Sequence, residues 1–183
     1  MKNKAGTPQH DLVERAIHGD KGAFGTLYER HLDAIYRYVY FRVGSPADAE
    51  DLTEDVFVRA WQAVGSFEYG GEGSFVSWLY RIAHNLVIDH YRKRQPQSWS
   101  SEQLALEEAR IPAVEDVAHH NQDVSRLSHA IRQLEEVEQQ VILLRFIEGL
   151  SHGKVAEIIG KSEGASRVIQ HRALINLKAL LDG

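Results

Sequence analysis

Glu148-Gly-Leu-Ser-His-Gly-Lys-Val-Ala-Glu-Ile-Ile-Gly-Lys-Ser-Glu-Gly-Ala-Ser-Arg-Val-Ile-Gln-His-Arg172 is the stretch that decides the fold of this chain. Ser151 is suited to cap a helix over His152 to Ile159, Gly160 and Lys161 make a tight turn, and Ser162 is suited to cap a final helix to about Leu181. Two helices so spaced form a helix-turn-helix, in which the second enters the major groove and offers side chains near its N-terminus to base edges. On that reading Glu163, Ser166, Arg167 and Gln170 face bases, while Lys161, Arg172 and Lys178 neutralise backbone phosphates. Spacing alone leaves a second reading open, a helical pair that only packs against its neighbours.

Outward from that stretch the same period continues. Leu127, Ile131 and Leu134, then Val137, Val141, Ile142, Leu144 and Phe146, predict two short helices between Val124 and Gly149. Toward the N-terminus, Asp11 and Glu14 form a capping-box pattern ahead of Ala16 and Ile17, and Asp20 caps a long helix with Phe24, Leu27, Leu32, Ile35, Tyr36 and Val39 on one stripe. Ser45 and Pro46 start a third helix, to about Val64, which buries Leu52, Val56, Ala60 and Trp61 and lines another face with Asp48, Asp51 and Asp55. Residues 65–74, with four glycines and the aromatics Phe67 and Tyr69, cannot sustain a helix. Ser74 then caps a fourth helix through Arg94, apolar at Phe75, Trp78, Leu79, Ile82 and Leu86 and polar at Arg81, Asn85, Asp89 and Arg92. No strand candidate or internal repeat is present, so the expected class is all-α.

Charge divides the chain. Residues 95–125 hold Glu102, Glu107, Glu108, Glu115, Asp116 and Asp123 against Arg110 alone, which accounts for the whole net charge of −5. The expected organisation is a disordered N-terminus over 1–10, a helical domain over 11–94, a flexible acidic linker over 95–123 and a helix-turn-helix domain over 124–183. Neither helical part is basic overall, whereas a domain that binds duplex unaided usually is. DNA binding would then depend on a larger basic partner. Cysteine is absent, which excludes disulfides and thiolate chemistry. Ten histidines supply no ligand spacing with a helical acid, so no metal, no cofactor and no enzyme activity are expected. Met1 to His10 lead into no apolar run, and no stretch is long enough to span a bilayer, so the expected address is cytoplasmic without membrane insertion.

Three ordered segments resemble one known family. Asp48-Ala-Glu-Asp-Leu-Thr-Glu-Asp-Val-Phe-Val-Arg-Ala-Trp61 looks like the core-polymerase-binding helix of sigma-70 type initiation factors of the extracytoplasmic function group. Ser74-Phe-Val-Ser-Trp-Leu-Tyr-Arg-Ile-Ala-His-Asn-Leu-Val-Ile-Asp-His-Tyr-Arg-Lys-Arg94 is similar to that family's minus-ten recognition and melting helix. Leu143-Leu-Arg-Phe-Ile-Glu-Gly-Leu-Ser151 with the helix-turn-helix resembles the domain that reads the minus-thirty-five element. The resemblance implies a factor that brings core RNA polymerase to promoter DNA and opens it. It implies polymerase docking through Asp48, Asp51, Leu52, Asp55 and Val56, and minus-ten contacts from Phe67, Tyr69, Asn85, Arg92, Lys93 and Arg94. It further implies an anti-sigma partner, with the chain monomeric when free or 1:1 with its inhibitor. Many relatives carry Thr-Val-Lys-Ser-Arg where this chain has Ala165-Ser-Arg-Val-Ile169, a departure inside the reading helix. The competing readings are a stand-alone helix-turn-helix regulator, which explains the tail only, and a polymerase-binding decoy that no longer reads promoters.

Overall fold

The computed structural model describes residues 8–71, 73–94 and 120–182, with the side chains of residues 94 and 120–122 left outside it. Among these residues every regular element is helical. Helix α1 spans Gln9–Ile17, α2 Lys21–Val43, α3 Pro46–Ala63 and α4 Ser74–Arg94, with a 3-10 turn at Val64–Ser66. Helix α5 spans His120–Arg132 and α6 Glu136–Ile142, which runs into a π turn at Leu143–Ile147; α7 spans His152–Ile159 and α8 Glu163–Asp182.

Local signals set most boundaries. Asp20 accepts the Ala23 amide at 3.0 Å and Ser45 that of Asp48 at 3.3 Å, each filling an orphan donor at a helix start. Gly44, at φ 75°, closes α2 in the left-handed conformation that an L side chain rarely adopts, and the Arg132 side chain lies against it. Three expectations need correction. Helix α1 begins at Gln9 behind Pro8, without a side-chain cap, so Asp11 lies inside the first turn and residues 9 and 10 are helical. Helix α5 begins at His120, inside the span expected for the linker, while the rest of that span up to residue 119 lies outside the described residues. The π turn, in which the Glu148 amide bonds to the Leu143 carbonyl at 3.0 Å, rotates Phe146 off the apolar stripe and leaves it 54% exposed.

In the N-terminal unit α2 packs on α1, α3 and α4, around Leu27, Ile35, Tyr38, Val39, Val56, Leu79 and Val87. In the C-terminal unit α8 packs on α5, α6 and α7 around Ile131, Val141, Leu144, Val155 and Ala173. The units also meet each other. Helix α2 touches α5 and the π turn, and α4 touches α7. Across this seam Arg37 makes a two-pronged bond to Glu148 at 3.3 and 3.1 Å, and that carboxylate is only 4% exposed. His84 bonds Gln140 through Nδ1 and faces Glu136 through Nε2 at 3.2 Å.

Candidate nucleic-acid and protein interfaces

Helix α3 has two apolar lines. Leu52 and Val56 are buried in the core, so they hold α3 in place and are not available to a partner, contrary to the docking role expected of them. Asp51 and Asp55 point to solvent. Asp48 is half-buried in the first turn and faces His90 of α4 at 3.8 Å. The second line, Glu50, Glu54, Phe57, Val58 and Trp61, borders a groove of about 810 Å³ whose other wall is Tyr28, Leu32, Asp33 and Tyr36 of α2. The Tyr28 and Phe57 rings meet edge to face at 4.8 Å, and Val58 is 45% exposed. An aromatic floor with an acidic rim suits an apolar partner surface that carries basic groups. The spacing of this second line was present in the sequence, but two apolar lines on one helix cannot be ranked until the core is known.

The glycine-rich loop leaves α3 through the 3-10 turn, where the Phe67 amide bonds Val64 at 3.0 Å. The Phe67 ring is half-buried against Trp78 at 4.8 Å and Phe75 at 5.8 Å. Tyr69 packs against His10 of α1 at 4.5 Å. Asn85, Arg92 and Lys93 are exposed on α4, and Arg92 pairs with Asp89 at 2.8 Å; the Arg94 side chain lies outside the described residues. Lys154 of α7 lies over Gly73, so the helix-turn-helix reaches this loop across the seam.

In the helix-turn-helix the caps stand where the serines predict. Ser151 accepts the Lys154 amide at 3.3 Å, Ser162 that of Ala165 at 3.1 Å, and Gly160 turns the chain at φ 65°. The expected readers do not share one face. Ser166 is wholly buried and bonded to Nδ1 of His152 at 3.2 Å, so it cannot touch a base. Gln170 is half-buried and its Oε1 accepts from Arg145, whose other arm bonds the Leu150 carbonyl. Arg172 is held by Glu138 at 2.5 Å and Glu135 at 3.1 Å, with its charge answered inside the unit. Asn176 also bonds Glu138, at 3.2 Å to each oxygen, so one carboxylate, 1% exposed, ties α6 to α8. Lys161, Glu163, Arg167 and Lys178 are exposed, with Arg167 paired to Glu163 at 2.5 Å. Arg145 and Glu138, which fix the reading helix, carried no signal of their own because their partners lie 25 to 38 residues away.

No group of three or more histidines, aspartates or glutamates among the described residues is placed to hold a metal ion. No helix among them is long and apolar enough to cross a membrane. Residues 27–97 match the family described as Sigma-70 region 2, and residues 125–177 that described as Sigma-70 region 4. The chain is 31% identical over 169 residues to the ECF RNA polymerase sigma factor SigW of Bacillus subtilis, covering 87% of this chain and 89% of that one. The chain belongs to the ECF sigma factors of the sigma-70 family. This sigma factor is also 42% identical over 174 residues to the ECF RNA polymerase sigma factor BldN of Streptomyces coelicolor, covering 93% of its own length and 65% of BldN's. Its fold matches that of CnrH, solved in complex with the cytosolic domain of CnrY, with a TM-score of 0.72 and 29% identity over 95% of this chain and 97% of CnrH. The sigma factor is thus a DNA-binding regulatory protein of transcription initiation.

Proposed function

We propose that this sigma factor docks on core RNA polymerase through the acid-rimmed groove between α2 and α3, and confers promoter selectivity on it. The carrying observation is that groove, where Val58 and Trp61, over a buried Phe57, lie between Glu50 and Glu54 on one side and Tyr28 and Tyr36 on the other. Asp51 and Asp55 extend its acidic border, and Asp48 steers from the end of α3. The basic partner that the acidic balance of the chain calls for is then the polymerase itself. Phe67, Tyr69, Asn85, Arg92, Lys93 and Arg94 serve the minus-ten element, where an aromatic that stacks on an extruded base contributes about 1 to 3 kcal/mol. Lys161, Glu163 and Arg167 serve the minus-thirty-five element from α8; Arg172, Gln170 and Ser166 hold that helix at its angle. The protein works in the cytoplasm, without a catalytic step of its own, and an anti-sigma protein covers it when it is idle. CnrH bound to the cytosolic part of CnrY is the parallel that supports this last part.

Run-off transcription with core polymerase and a library of promoter fragments tests the reading. Transcripts that are sequence-selective and depend on the added protein are expected, with Val58→Asp and Trp61→Ala abolishing polymerase binding. Polymerase binding without transcripts would instead indicate a decoy, and DNA binding without polymerase a stand-alone regulator.

A further inference from the structure

Ser166, Ala173 and Leu177 mark the buried line of α8. At 100° per residue, Gly164 and Val168 stand nearly opposite that line, one turn apart, with His171 beside them. Val168 is 70% exposed, more than any other large apolar residue described. Gly164 lies in the first turn, and a Cβ built there meets nothing within 4 Å. Nothing inside the protein therefore calls for glycine at 164, where alanine is the better helix former. A bare backbone beside a solvated valine, with Ile175 56% exposed two turns further along the same face, is a surface shaped for something that comes very close. Lys161 and His171 are exposed beside it, as is Arg167 in its ion pair with Glu163, a polar border that suits the edge of a nucleic-acid groove.

We propose that the Gly164–Val168 face of α8 reads the C5-methyl group of a thymine in the major groove of the upstream promoter element. This rests on the promoter-reading role proposed above. Thymine is the base whose major-groove edge carries an apolar group, and small apolar side chains recognise it by contact. Gly164 lets the groove wall approach the first turn of α8, and the Val168 isopropyl group then covers the methyl. Two of the neighbours expected to read bases are occupied elsewhere, Ser166 by His152 and Gln170 by Arg145, while Glu163 and Arg167 stay exposed beside the face. At the Val168 contact itself, specificity depends on shape and apolar contact, alongside whatever the exposed Glu163 and Arg167 bond.

The test uses the holoenzyme and a promoter that it selects. Each thymine of the upstream element is replaced in turn by deoxyuridine, which removes the methyl and leaves every hydrogen-bonding group. With the wild-type chain one position is expected to lose about fourfold in binding, the weight of one methyl group covered. Val168→Ala should lose a similar factor on the thymine promoter and nothing further on the deoxyuridine one, and Gly164→Ala should weaken binding to both without lowering the melting temperature. The inference is overturned if no position responds to deoxyuridine, or if the response is undiminished in Val168→Ala. It is equally overturned if Val168→Ala weakens binding to fragments that lack the upstream element, which would place Val168 against the polymerase. A holoenzyme that selects no promoter at all would instead overturn the functional reading, and this inference with it.

Discussion

His31 lies on α2 beside Phe75, at 6.0 Å between rings, with its Nε2 buried and unbonded among the described residues. Burial, with Arg30 adding to it, lowers its pKa from 6.5 to about 4. In the unfolded chain the ring takes up its proton near pH 6.5, whereas the folded chain resists until about pH 4. Stability is therefore unaffected above pH 6.5 and falls as the pH drops from there towards 4. The loss is on the order of 3 kcal/mol at the bottom of that window. Thermal unfolding of wild type and His31→Leu across pH 7 to 4 checks this: the wild type should lose melting temperature faster, and parallel curves would show that the ring is solvated. At this scale the sequence was a partial guide. It placed Asp20, Ser45 and Ser162 at helix starts, because a cap bonds an amide only three residues on. It misplaced Ser166 and Leu52, because whether a helical residue faces solvent depends on what packs on the helix.

Helices α7 and α8 are joined by three residues that settle their own geometry. Gly160 adopts φ 65° and bonds back to Ala156, and Ser162 caps α8 through Ala165. Ser162→Ala should cost about 1 kcal/mol of local stability. Hydrogen exchange at the Ala165 amide should speed up severalfold while exchange in α2 stays unchanged; equal rates would mean that solvent serves as well as the hydroxyl. The angle of α8 against α6 is another matter. It follows from a buried Glu138 gripped by Arg172 and Asn176, and from Arg145 spanning Gln170 and Leu150. The period through Val141, Ile142 and Leu144 marks a helix, but with Leu143 buried as well it does not single out one face, and the π turn that follows had no distinct signature.

The two helical units lie together across a seam that contains one nearly inaccessible carboxylate. Glu148 takes both arms of Arg37 and lies near Tyr80, whose pKa is raised by burial first and by Glu148 next. Arg37→Ala would leave that carboxylate without its cation; since Arg37 is itself 48% exposed, the cost to the closed arrangement should be only about 1 to 3 kcal/mol. Small-angle scattering should then show a larger radius of gyration for Arg37→Ala than for wild type at low salt. An unchanged radius would mean that the contacts of α2 with α5 and of α4 with α7 hold the seam without this ion pair.

The division into two helical units, the helix-turn-helix and the family were written in the sequence, because they rest on caps, turns and apolar spacing that act within a few residues. Tertiary structure alone decided which line of α3 is core and which is groove, which side chains of α8 remain free, and that Arg37 meets Glu148 across 111 positions. The physical reason is one of range. Backbone geometry and capping are local, whereas burial and ion pairing are properties of whatever the folded chain brings alongside.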